Sequence, residues 1–301
     1  MSFKVLGIIA ALVSAFSWSI GSILFKKISE TATPLGMTLA KGVIGFFLLG
    51  TVYYLEGITA MPLDVFLSLA VSGIIGIALG DTFFFLSLQD LGPKTQVIFF
   101  MMGQIVTAVL GMIFLHDIPT PVEWFGIFVT ISGVALVLWQ KIFSDSNPDN
   151  ATTSFKGIIY GALSMLCFSV SLLLAKDSLQ HVTTISATFI RVISGTAGVL
   201  LFGLFTNKVG DWMMPFSNMK SFAFLFMSVF VVMFGGFWLS LFSIKYVNIG
   251  VASALSATEP LFVLPLAFFL LKEKISLYEI IGALLSVFGV ILIISNSMQV
   301  W

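Results

Sequence analysis

Residues 144–154 read Ser-Asp-Ser-Asn-Pro-Asp-Asn-Ala-Thr-Thr-Ser, a polar stretch in a chain otherwise built of apolar runs. Asx, Ser and Pro favour turns over regular structure, so this segment reads as a linker. On either side of it, apolar runs of about 20 residues, the length of a membrane-spanning helix, recur. They fall at 5–25, 34–55, 64–88, 93–115 and 121–140, then at 157–175, 184–206, 221–244, 248–271 and 276–296. The linker therefore parts a first five-helix unit, residues 1–143, from a second, residues 155–301. Because five is odd, the second unit enters the membrane from the opposite side to the first.

Composition supports that reading. Of 301 residues, 58% are hydrophobic and 9% charged, and the mean hydropathy is +1.11, far from the balance of a soluble domain. An all-α polytopic membrane protein is expected, with the lipid bilayer as its surroundings. The first apolar run follows Lys4 like a signal peptide, but its length and the want of a small-residue cleavage site make it a first helix. Net charge is zero and the 14 basic residues are scattered, which leaves no face for nucleic acid and no polybasic lipid site. The single Cys167 allows no intrachain disulfide and no thiolate cluster. His116 and His181 fall at helix ends without further ligands at metal spacing. The sequence holds no P-loop, dinucleotide fingerprint or hydrolase motif, so no cofactor is expected, and ATP-driven pumping and intramembrane catalysis are the weakest readings.

The two units repeat. With a shift of 150, Gly7-Ile8-Ile9 falls on Gly157-Ile158-Ile159, Ser14 on Ser164, Ser19 on Ser169, Lys26 on Lys176 and Lys41 on Arg191. With a shift of 156, Gly80 falls on Gly236, Ser87 on Ser243, Leu115 on Leu271, Asp117 on Glu273, Glu123 on Glu279, and Gly126 and Gly133 on Gly282 and Gly289. Inverted repeats of this kind are common in secondary transporters, which bind substrate near the midplane and rock one helix set against the other. Counting loop lysines puts Lys4, Lys176 and Lys245 on one side and Lys26, Lys27, Lys94, Lys141, Lys156, Lys208, Lys220, Lys272 and Lys274 on the other. The positive-inside rule then places both termini outside the cytoplasm.

Ionisable residues within spans are costly and normally face a cavity or a partner. Glu259 lies 11 residues after Asn248, roughly 16 Å along a helix at about 1.5 Å per residue, near the midplane. Pro260 and Pro265 remove the amide partners of the Ser256 and Leu261 carbonyls and should kink this helix. Asp81 lies in the third span, and Lys41 and Arg191 hold mirrored positions in the second and seventh. Each has a structural reading too. Glu259 could tie helices together or pair with Arg191, Asp81 could cap backbone, and Lys41 could snorkel to the headgroups. Arg191 keeps its charge at any relevant pH. Gln104 stands where the repeat has Pro260, with Gly103 opposite Glu259, so the first half carries no equivalent acid. Trp18, Phe168 and Trp238 are candidates for an aromatic cavity wall. Gly76-x-x-x-Gly80 and Gly157-x-x-x-Gly161 read as close-packing motifs.

Several motifs now combine: the run Trp18-Ser-Ile-Gly-Ser-Ile-Leu-Phe-Lys26, a basic residue after a Thr/Pro-led start in helices two and seven, Ser256-Ala-Thr-Glu-Pro-Leu-Phe262, and Leu271-Lys272-Glu273. In these the chain resembles the drug/metabolite transporter superfamily, and within it the ten-helix EamA type, over nearly its whole length. The resemblance implies two inverted bundles around a cavity lined by helices one to four and six to nine, with helices five and ten peripheral. It also implies export or exchange of small metabolites, often amino acids, across bacterial inner membranes. Gly103-Gln104 and Leu115-His116-Asp117 depart from the usual pattern of the first half, which argues against equivalent site residues in both halves. The expected function is secondary transport of a small polar or zwitterionic metabolite. Arg191, with Lys41, would attract a carboxylate, Glu259 would hold an ammonium group or a coupling proton, and Asp81 would serve as a second acid. The alternatives are an uncoupled facilitator, an exporter of lipophilic or cationic compounds, or a scaffold assembling through helices five and ten. The sequence leaves the oligomeric state open.

Overall fold

The computed structural model describes residues 3–28, 31–57, 61–116, 118–143, 155–259, 261–262 and 277–299, which form helices and no strand. Six helical stretches are long and apolar enough to cross a membrane, and Met102–Leu115, Pro121–Leu136 and Ile280–Ile293 are shorter apolar helices. The expected linker at 144–154, Pro260, Pro265 and the Leu-Lys-Glu motif at 271–273 lie outside the described residues, so the ninth span is seen only in its first part.

Local sequence fixes where the helices begin. Helix α1 is Phe3–Ile28, and α2, Pro34–Glu56, starts at Thr33, whose hydroxyl accepts from the Gly36 amide at 3.2 Å. Further along, Thr183 caps Ser186 at the same distance to start Thr184–Phe205. Thr33 and Thr183 are repeat mates, so equal caps set Lys41 and Arg191 at equal depth.

Helix α3, Leu63–Gly73, passes into a π-helical segment, Ile74–Gly80, and then into α4, Asp81–Leu115. The two ends of α4 run in opposite directions. Along Phe155–Ser178, Ser72 meets Ser171 and Ser87 meets Gly157, against that helix's direction, whereas Phe99 lies at Gly161 and Thr107 donates to Ser169, along it. The chain therefore reverses between Ser87 and Phe99, as the separate third and fourth spans require. Helix α5 is Pro121–Phe143, α6 Phe155–Ser178 and α7 the Thr184–Phe205 helix just capped. The short α8, Val209–Met213, and a 3₁₀ turn, Met214–Phe216, precede α9, Met219–Phe230. A second π-helical segment, Val231–Trp238, then leads into α10, Leu239–Tyr246. The two π-segments occupy repeat-equivalent places. The extra residues that change the repeat shift from 150 to 156 fall around α8, where Trp212 and Phe216 are buried. A side chain at Gly36 or Gly203 would collide with Trp212, at 2.7 and 2.5 Å, so this insert seats against α2 and α7.

Helix α11, Ile249–Ser256, stops one turn before the Glu-Pro pair. Beyond it the amides of Thr258 and Leu261 bond to Leu255 O and Thr258 O in tighter, three-residue turns. The last helix, α12, is Leu277–Gln299.

Helices α5 and α12 cross on small residues. A Cβ at Gly126 would lie 3.0 Å from Gly289 O, and one at Gly133 would lie 2.6 Å from Gly282 O. At the centre Ser286 donates to Thr130 O at 3.1 Å, and these two residues are themselves repeat mates. The inner faces of helices five and ten are thus occupied by each other, leaving Phe128 and Leu284 outward. Three lysines expected on the thinly charged side are engaged as well. Lys4 pairs with buried Glu123 at 2.9 Å, Lys176 donates to Ile244 O and Val247 O, and Lys245 donates to Val182 O.

Candidate substrate site

Lys41, Asp81 and Arg191 are buried, with 3%, 5% and 6% exposure. Lys41 and Asp81 form an ion pair; the lysine therefore does not snorkel. Its ammonium also lies over the Phe237 ring, 5.0 Å from the centroid, a cation–π contact. Phe237 is the repeat mate of Asp81, so Lys41 stands between two equivalent positions, one acidic and one aromatic. Arg191 Nη2 donates to the Ser171 hydroxyl at 2.8 Å, while its Nε is buried with no partner among the described residues.

The surroundings of Arg191 are made by small residues. Ser72 and Ser171 donate to each other's carbonyls at 2.6 and 2.7 Å, stitching α3 to α6. A Cβ on Gly73 would lie 2.2 Å from Arg191 O, and one on Gly76 would lie 2.2 Å from Ser171 Oγ. Only glycine lets α3 and the π-segment approach this closely. Asp81 begins the helix that leaves the π-segment, where the shift in hydrogen-bond register turns the following side chains.

Glu259 lies apart from this cluster. It is half-buried, and its carbonyl accepts from Ser19 Oγ at 2.8 Å. Among the described residues its carboxylate has no ion-pair partner, so it does not pair with Arg191. Asp81, by contrast, feels both Lys41 and Arg191.

Gln104 lines a small crevice between α4 and α6 with Phe84, Phe168, Ser164, Thr107 and Ser169. The three aromatics named from sequence separate: Phe168 joins this crevice, Trp18 packs on Phe237 at 5.0 Å between centroids, and Trp238 Nε1 donates to Thr184 Oγ1 at 3.0 Å. Sequence reasoning missed Phe237, Ser171 and Ser72. The repeat register could have flagged Phe237, since it falls on Asp81. The serines carry no such signal, because hydroxyls are common packing residues in membrane helices.

A repeated set of membrane helices with buried charges among them is an architecture common among membrane transporters. The chain belongs to the EamA-like transporter family, which it matches at residues 5–139 and again at 155–295. An uncharacterized transporter of Bacillus subtilis, YyaM, is 26% identical over 235 residues, covering 74% of this chain and 72% of that protein. A solved crystal structure with 16% sequence identity shares the fold, with a TM-score of 0.72 over 98% of each chain.

Proposed function

We propose that this membrane transporter moves a small, carboxylate-bearing, amino-acid-like metabolite by alternating access, coupled to protons through Glu259. The observation that carries the reading is Arg191: a buried guanidinium whose Nε has no partner among the described residues, beside the Lys41–Asp81 pair. Burying a donor unsatisfied is costly, and a carboxylate is the chemistry that an Arg fork binds best. Lys41 contributes to the same attraction, and Asp81 holds Lys41 until substrate competes for it. Glu259, at a helix break and free of an ion pair among the described residues, takes the coupling proton. Trp18 backs Phe237, the ring under Lys41, while Gln104 and Trp238 contribute from the crevice and from Thr184. The protein sits in the cell's inner membrane with its termini outside the cytoplasm, a placement supported by the excess of lysines on the opposite side.

The test is flux of labelled amino acids and related carboxylates in proteoliposomes, with and without an imposed proton gradient. Uptake that follows the gradient in the wild type, and no longer does so in Glu259→Gln, is the expected result. A Glu259→Gln variant with unchanged rate and gradient dependence removes Glu259 from the mechanism. Wild-type uptake indifferent to the gradient makes the protein an uncoupled facilitator.

A further inference from the structure

The charges of the cluster do not balance. Lys41 and Arg191 supply two positive charges and Asp81 one negative; among the described residues no second carboxylate pairs with either cation. The neighbours that touch them are neutral: Phe237 at Lys41, Ser171 at Arg191, and Ser72 behind it. All three charged side chains are buried, where screening is weak and an unbalanced charge is expensive.

From this imbalance and the unpartnered Arg191 Nε, we propose that the transported species is a carboxylate of net charge −1, carried in preference to its neutral or zwitterionic analogue. The inference rests on the transport reading above and narrows its substrate class. A monoanion brings the cluster to neutrality and gives Nε an acceptor. A zwitterion brings its own ammonium and leaves the positive charge uncompensated. A dianion overshoots by one negative charge. Glu259 is left out of this sum because among the described residues its carboxylate pairs with neither cation.

The experiment compares matched probes in proteoliposomes loaded with the same compound: glutamate with glutamine, aspartate with asparagine, and pyruvate with alanine. The anion of each pair is expected to exchange about tenfold faster or more, since one unit charge in a poorly screened site is worth at least that. Arg191→Gln and Lys41→Gln bring the cluster to neutrality by different routes, so each should bring the paired rates close to parity. One variant that still elutes as a folded monodisperse species is enough. Asp81→Asn raises the cluster charge and should shift preference towards the dianion succinate. Zwitterions exchanging as fast as their anions overturns the inference and leaves the transport reading standing. A preference for anions that survives both neutralising variants also overturns it. Silence for all probes in folded wild-type protein removes the transport reading itself, and the inference with it.

Discussion

The same contact occurs twice, with different consequences. Ser169 Oγ of the second half donates to Gly103 O of the first at 3.1 Å; Ser19 Oγ of the first half donates to Glu259 O of the second at 2.8 Å. Ser19 and Ser169 are repeat mates, and so are Gly103 and Glu259. The aromatics beside them match too. A Cβ at Gly80 would meet the Phe168 ring at 3.0 Å, and one at Gly236 would meet Trp18 at 3.0 Å. Backbone approach is thus conserved between halves, while charge is not. Inverted repeats of this kind place equivalent backbone contacts on both sides of the repeat interface. The charges differ where Asp81 stands against Phe237 and Glu259 against Gly103.

The sharpest way to break the comparison is to make the Asp81 position as neutral as its mate. Asp81→Asn leaves Lys41 buried without its partner, which should cost about 3–5 kcal/mol of stability. Thermal unfolding in detergent reads this, and a Lys41→Met/Asp81→Leu double variant should recover most of the loss. An Asp81→Asn protein as stable as wild type would show that Lys41 has another anion available. A smaller effect tests the frame. Gly133→Ala places a Cβ against Gly282 O and the Ser286 amide, both at 2.6 Å, and neither backbone atom can yield locally. A loss of about 1–3 kcal/mol is expected. Gly103→Ala is its control: the new Cβ meets only the Met165 side chain, at 3.1 Å, which can swing aside, so near-neutral stability is expected. Equal losses at both glycines would remove the distinction between the crossing and the crevice.

Much of this was legible in the sequence because its causes are local or periodic. Span lengths follow from bilayer thickness. The basic pair and the glycine pairs were found by register alone. What register cannot give is which side chains meet. Lys41 and Asp81 are 40 residues apart, and nothing local favours that pair over an Arg191–Glu259 pair. The π-segments were illegible for a different reason. One residue more per turn leaves no mark in composition; it is sustained by tertiary contacts such as Phe168 on Gly80 and Trp18 on Gly236. The change of repeat shift was visible, but only the burial of Trp212 and Phe216 gave the inserted residues a place.

The finest test separates frame from chemistry within one hydrogen bond. Ser19→Ala and Ser169→Ala each remove a hydroxyl donor from a repeat-equivalent carbonyl, and side-chain hydrogen bonds between membrane helices are worth about 0.6 kcal/mol on average. Both variants should therefore lose similar, small amounts of stability in the same unfolding assay. Their transport should not match. Ser169 tethers a glycine that carries no charge, so its loss leaves flux and gradient dependence close to wild type. Ser19 tethers the backbone of Glu259, where the helix has already broken, so its loss frees the carboxylate to move and should weaken gradient dependence while uptake persists. Equal transport in the two variants would mean that the halves are symmetric in function as well as in backbone, and that the position of Glu259 does not matter to coupling.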